Sequence, residues 1–155
     1  MTPLPATEIE IDEFLAAFES GTLPKKRWTH AAHLLAGACY VHRLGQPAAV
    51  NHMRKCVRRY NEAVGGKNTA TSGYHETITV FWIKVLDALL FHAQPIARAE
   101  FAALAVERFT PQRDLFRRFY DFDVIASTEA RAEWIPPTHG EIEGSAATHL
   151  DIATQ

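Results

Sequence analysis

Three histidines carry the spacing that could do chemistry. His30 and His33 lie three apart in RWTHAAHLLAGACY, residues 27 to 40, and His75 stands in GYHETIT, residues 73 to 79. Residues three apart on a helix share a face, so His30 and His33 can direct both imidazoles at one point. The first turn of a helix also carries partial positive charge, which disfavours imidazolium and keeps the rings in the neutral form that ligates metals. With His75 as a third ligand the set matches the open coordination of a catalytic divalent ion, zinc, iron or copper, with water in the free position. Glu76 would then be a fourth ligand, a partner that fixes a ring, or a general base acting on the bound water. Tyr74 could give a proton or orient a substrate. Adjacent helical residues diverge by about 100 degrees, so only one of His75 and Glu76 is expected to face inward.

Plainer readings stand beside this one. Eight histidines in 155 residues produce about 0.4 pairs at a spacing of three by chance, so the doublet alone is weak evidence. The rings could be helix-start residues bonded to backbone and carboxylates, with Tyr74 packed on Trp28, or His75 could be a metal-free catalytic base oriented by Glu76. His42, His52 and His92 fall late in their helices and read as surface or capping residues, while His139 and His149 belong to the chain's end. Arg117 and Arg131 could hold a substrate carboxylate or phosphate by paired hydrogen bonds. An arginine among aromatics is more often packed and paired within the domain.

The elements that must position these groups are all helical by period. Thr7 and Glu10 form a capping box ahead of Ile11, Phe14, Leu15 and Phe18, which predicts a first helix over 8–20. Thr29 is the expected N-cap of a second, which stops near Gly45 and carries His30 and His33 in its opening turn. Pro47 suits the first turn of a third, with Val50, Met53, Val57, Tyr60 and Val64 on one buried face. GGKNTATSG, 65 to 73, reads as a loop, and a centrally buried fourth helix follows over about 74–92. Pro95 is expected to open a fifth, TPQRD at 110–114 a sixth, and Ser127 to cap a short seventh ending at Trp134. The architecture predicted is all-α, a single irregular bundle of six to seven helices over 1–137. Residues 138–155 have little apolar periodicity and read as a mobile C-terminal tail.

Composition sets the surroundings. A chain 47% hydrophobic and 22% charged is long enough for one buried core and short for two domains. Net charge −2 and a pI near 6.4 argue against nucleic acid, which requires concentrated Lys and Arg; the clusters RKCVRRY and RRF fit solvated helix faces. The start has no basic segment followed by an apolar run, and no stretch approaches the length of a membrane span, so a cytoplasmic protein without a membrane partner is expected. Cys39 and Cys56 lack metal-type or redox-type spacing and read as buried thiols.

Three motifs together resemble a family of small, largely uncharacterised bacterial all-helical proteins. They are Trp28-Thr29-His30 with His33, then Gly73-Tyr74-His75-Glu76-Thr77, then a closing Tyr120, Ser127, Arg131, Trp134 and Pro136. The resemblance spans most of residues 10 to 137 and implies that the two histidine motifs belong to one unit. This chain has Pro137 where the pattern has an acidic residue. The resemblance implies no activity; the histidine motifs themselves lead to the expectation of a small metal-dependent enzyme, a hydrolase or oxidoreductase, acting on a small polar molecule. In it His30, His33 and His75 hold a divalent ion, Glu76 and Tyr74 transfer protons, and Trp28, Arg117 and Arg131 contact substrate. A non-catalytic helical module that binds a small ligand or a partner, with or without a structural metal, is the alternative.

Overall fold

The computed structural model describes residues 3–142. Six α-helices and three 3-10 turns make up the described chain, and no strand occurs among the described residues. Helix α1 spans Glu8–Ser20, α2 His30–Leu44, α3 Gln46–Ala63, α4 Glu76–Ala93, α5 Arg98–Phe109 and α6 Thr128–Ala132. Their starts follow from local chemistry. The Thr7 hydroxyl accepts the Glu10 N–H and the Glu10 carboxylate accepts back at Thr7, closing the expected capping box. Thr29 and Ser127 cap α2 and α6 in the same way, accepting from Ala32 and Ala130.

Helix α2 is the centre of the molecule, packing on α3, α4 and α5. Its middle is made of small residues, Ala36, Gly37, Ala38 and Cys39, all buried. A Cβ at Gly37 would come within 2.9 Å of Leu86 Cδ1, so the glycine leaves room for the Leu86 side chain where α4 packs on α2. Helix α4 buries Thr77, Phe81, Ile83, Val85 and Leu86 around much of its circumference, as a central helix must. Its face meets Phe116 and Phe119 edge to face. Cys39 and Cys56 are free and buried, and burial pushes the Cys39 thiol up to about 12.

Three elements differ from expectation. The fifth helix begins at Arg98 rather than at Pro95. Residues 110–118 do not form a sixth α-helix but two 3-10 turns, Thr110–Gln112 and Leu115–Arg118. Leu115, Phe116 and Phe119 are still buried there. The carbonyl of Phe119, which a continuing helix would use, instead accepts the backbone N–H groups of Thr138 and His139. The same bonds anchor the beginning of the segment read as a tail: residues 138–141 stay exposed, and Ile142 is buried. Residues 143–155, the rest of that segment and the position of His149, lie outside the described residues.

Candidate functional site

The openings of α2 and α4 meet at one cavity of about 510 Å3, and His30, His33 and His75 all line it. Trp28 and Trp82 supply aromatic walls, while Leu34, Met53, Val57, Ile78 and Ile83 supply aliphatic ones. The polar remainder is Lys25, Asn61, Lys67, Ser72, Tyr74 and Thr79; no Asp or Glu contributes to the lining.

Each imidazole is tied to a backbone carbonyl, and a carbonyl can only accept, so the partner fixes which ring nitrogen carries the proton. His30 donates from Nε2 to the Phe109 carbonyl at 3.2 Å, with its ring against the edge of Trp82 at 5.4 Å. His33 donates from Nδ1 to the Thr29 carbonyl at 2.8 Å and lies 3.9 Å from the Trp28 ring, itself stacked on Phe18. Burial is the main influence pushing both pKa values down, His33 to about 4, and the Arg113 guanidinium adds to it. Both rings are therefore neutral at pH 7. His30 Nδ1 and His33 Nε2 keep lone pairs with no hydrogen bond among the described residues.

His75 is bound differently. It is the N-cap of α4: Nδ1 accepts the Ile78 N–H at 3.2 Å, while Nε2 donates to the Val124 carbonyl at 2.9 Å. Both nitrogens are occupied, and burial again lowers the pKa. One ring thus caps a helix and staples it to the segment before α6.

Glu76 turns away from the cavity. Its carboxylate takes a paired set of hydrogen bonds from Arg54 of α3, Nε to Oε1 at 2.9 Å and Nη2 to Oε2 at 2.6 Å. The Tyr74 hydroxyl also donates to Oε1 at 2.7 Å. Burial would raise this carboxyl, but the Arg54 and Tyr74 hydrogen bonds outweigh it and hold the pKa below its ordinary value. Of the adjacent pair, His75 faces inward and Glu76 outward. Tyr74, with its hydroxyl committed to Glu76, is a cavity wall whose ring also lies under the Arg58 guanidinium.

The two arginines also have structural partners. Arg131 donates to the Gly73 carbonyl at 2.8 Å and pins the loop that delivers Tyr74 and His75. It lines a separate, more polar cleft with Arg54, Arg58 and Glu76. Arg117 is half exposed, faces Asp114 and Asp123 at 3.6 Å, and is not part of the lining of the cavity.

Several residues not singled out by spacing shape the site. Asn68 accepts the Tyr74 N–H and the Asn61 amide on Oδ1, and its own amide donates to the Arg58 carbonyl. Gly73 has φ of 81°, and a Cβ would sit 2.4 Å from the Lys67 carbonyl oxygen; only glycine fits where the loop folds back on itself. Thr77, fully buried, donates to the Glu133 carbonyl and accepts the Ile135 N–H, joining α4 to the chain after α6.

The fit to a metal ion can be tested on these bonds. Among the described residues no group of three or more His, Cys, Asp or Glu is arranged to hold one. His30 and His33 each keep one lone pair, but His75 has none to give while it caps α4. No carboxylate lines the cavity to offset a dication, whereas two lysines do. The three rings share a cavity without forming a chelating set in this arrangement. Comparison of the chain with protein-family models, with curated proteins and with solved structures finds no match.

Proposed function

We propose that the protein binds a small, largely apolar molecule in the cavity between α2, α3 and α4, with His30 and His33 as neutral hydrogen-bond acceptors for it. The observation that carries this reading is the lining itself. Two tryptophans and an aliphatic wall enclose about 510 Å3 into which two neutral imidazoles bring unpaired lone pairs. Such a site, apolar with a few placed polar groups, suits ligands of drug-like size. A neutral imidazole also suits proton abstraction from a bound donor, so the same geometry is compatible with metal-free acid–base chemistry at His30 or His33. Ligand binding is favoured over chelation because His75 would have to abandon the Ile78 N–H or the Val124 carbonyl to ligate an ion.

The test is a chemical-shift titration with one- and two-ring aromatic amides, followed on the indole N–H signals of Trp28, Trp82 and Trp134. Saturable shifts at Trp28 and Trp82, absent at Trp134 and abolished in Ile78→Trp with helicity retained, support binding in this cavity. Absence of any saturable shift at Trp28 and Trp82 overturns it. Zinc, iron(II) or copper(II) added under the same conditions tests the metal-dependent reading. Stoichiometric binding lost on replacing His75 would restore the three-histidine centre.

A further inference from the structure

The polar groups of the cavity are unevenly placed, and their sign is uniform. Its histidines belong to the openings of α2 and α4, whereas Lys25 and Lys67 come from the 3-10 turn Lys25–Arg27 and from the loop after α3. Those two segments are neighbours. The Tyr60 hydroxyl near the end of α3 donates to the Leu23 carbonyl at 2.7 Å, and the Gly21 backbone lies against the Ala63 side chain. The two lysines therefore reach the cavity from adjoining segments. Asn61 and Ser72 line it as well. Neither lysine's ammonium group is in an ion pair or hydrogen bond among the described residues, whereas Arg54 pairs with Glu76, Arg98 with Glu8 and Asp12, and Arg131 with the Gly73 carbonyl.

Resting on the cavity reading above, we infer that the ligand is an organic anion, a carboxylate on an apolar body of one or two rings, with its charge at Lys25 and Lys67 and its body between Trp28 and Trp82. Three physical points converge. A cavity without Asp or Glu offers an anion no repulsion, and two lysines give it a net positive wall. The neutral imidazoles add no charge of either sign, so the attraction comes from the lysines. The aromatic and aliphatic walls then reward an apolar body, in proportion to the area removed from water. A cation would meet two ammonium groups with no compensating carboxylate, and a highly polar molecule would lose hydration against walls that cannot replace it.

The experiment compares benzoate and 2-naphthoate with their primary amides, titrated into the full chain and into the Lys25→Gln, Lys67→Gln double variant. Both lysines are exposed, so the substitutions spare the core, and the amide titration on the variant checks that the cavity persists. The expected result is that each carboxylate binds the wild-type chain roughly three- to tenfold more tightly than its amide, the range for two partly solvated charge pairs. That preference should disappear in the double variant and weaken in high salt, with the amide affinity unchanged. Amides binding as tightly as carboxylates to the wild type overturn the anion inference and leave the cavity reading standing. A carboxylate preference that survives both Lys→Gln changes also overturns it. Absence of shifts at Trp28 and Trp82 with both ligand classes overturns the cavity reading, and this inference with it.

Discussion

The Thr29 carbonyl accepts a hydrogen bond from His33 Nδ1 at 2.8 Å, four residues along the same helix start, and this bond decides the ring's chemistry. It fixes the proton on Nδ1 and leaves Nε2 with an unshared lone pair on a residue that lines the cavity. His33 titrates near 4 when folded and near 6.5 when unfolded. The unfolded chain therefore binds the extra proton between those limits. Stability is fully present above pH 6.5 and falls as the pH drops towards 4. His30 and His75, also lowered, add in the same direction. Urea midpoints at pH 7.5, 5.5 and 4.5 should decline, and His33→Asn, which keeps a donor for Thr29, should flatten the decline by roughly 2 kcal/mol. An equal slope in the variant would remove His33 as its source.

Glu76 is expected to act on stability rather than on the cavity. Glu76→Gln keeps the shape but discharges the pair with Arg54 and weakens the Tyr74 bond. A loss of about 1 to 2 kcal/mol is expected for a partly buried, charge-assisted pair. Because its pKa is lowered, this contribution is present above the unfolded carboxyl value and disappears as acid protonates the folded form. Calorimetry of the single and double variants with Arg54→Met would show coupling, and ligand shifts at Trp28 and Trp82 should survive. Loss of those shifts with an unchanged melting temperature would instead place Glu76 in the binding machinery.

Thr77→Val should leave the Glu133 carbonyl and the Ile135 N–H unpaired inside the protein. The expected cost is about 1 to 3 kcal/mol, with Thr77→Ser close to the wild type. Amide exchange should quicken around Ile135 before the rest of the chain responds.

Gly73→Ala tests the loop. A side chain there meets the Lys67 carbonyl in a left-handed backbone, so the loop must open and move Tyr74 and His75. Loss of stability together with loss of aromatic-ligand shifts is expected. Gly45→Ala, also at positive φ but with open space around it, should lower stability and leave those shifts in place.

Much of the scaffold can be read from the residues. Thr7, Thr29 and Ser127 announce three helix starts because a hydroxyl before a periodic apolar run has one favourable use. The helix-start motifs single out His30, His33 and His75, but that α2 and α4 bring all three to one cavity is seen only in the fold. The destination of each ring nitrogen is not. His75 caps a helix, a task usually given to Ser, Thr, Asp or Asn, and its second partner, Val124, lies 49 residues on. Arg54 reaches Glu76 across 22 residues, and nothing in either local stretch signals the pairing. Residues 110–118 mislead as well: their apolar spacing suits an α-helix, yet they form two 3-10 turns, and the Phe119 carbonyl that follows is claimed from beyond α6.

The contact between Gly37 and Leu86 carries one more implication, because both residues also belong to the cavity wall. A methyl group at Gly37 would come within 2.9 Å of Leu86 Cδ1 and 3.5 Å of Ile83 Cδ1, so those side-chain ends would have to turn aside, and both line the chamber. A side chain added at Gly37 would thus reshape the inner boundary of the chamber through Leu86 and Ile83.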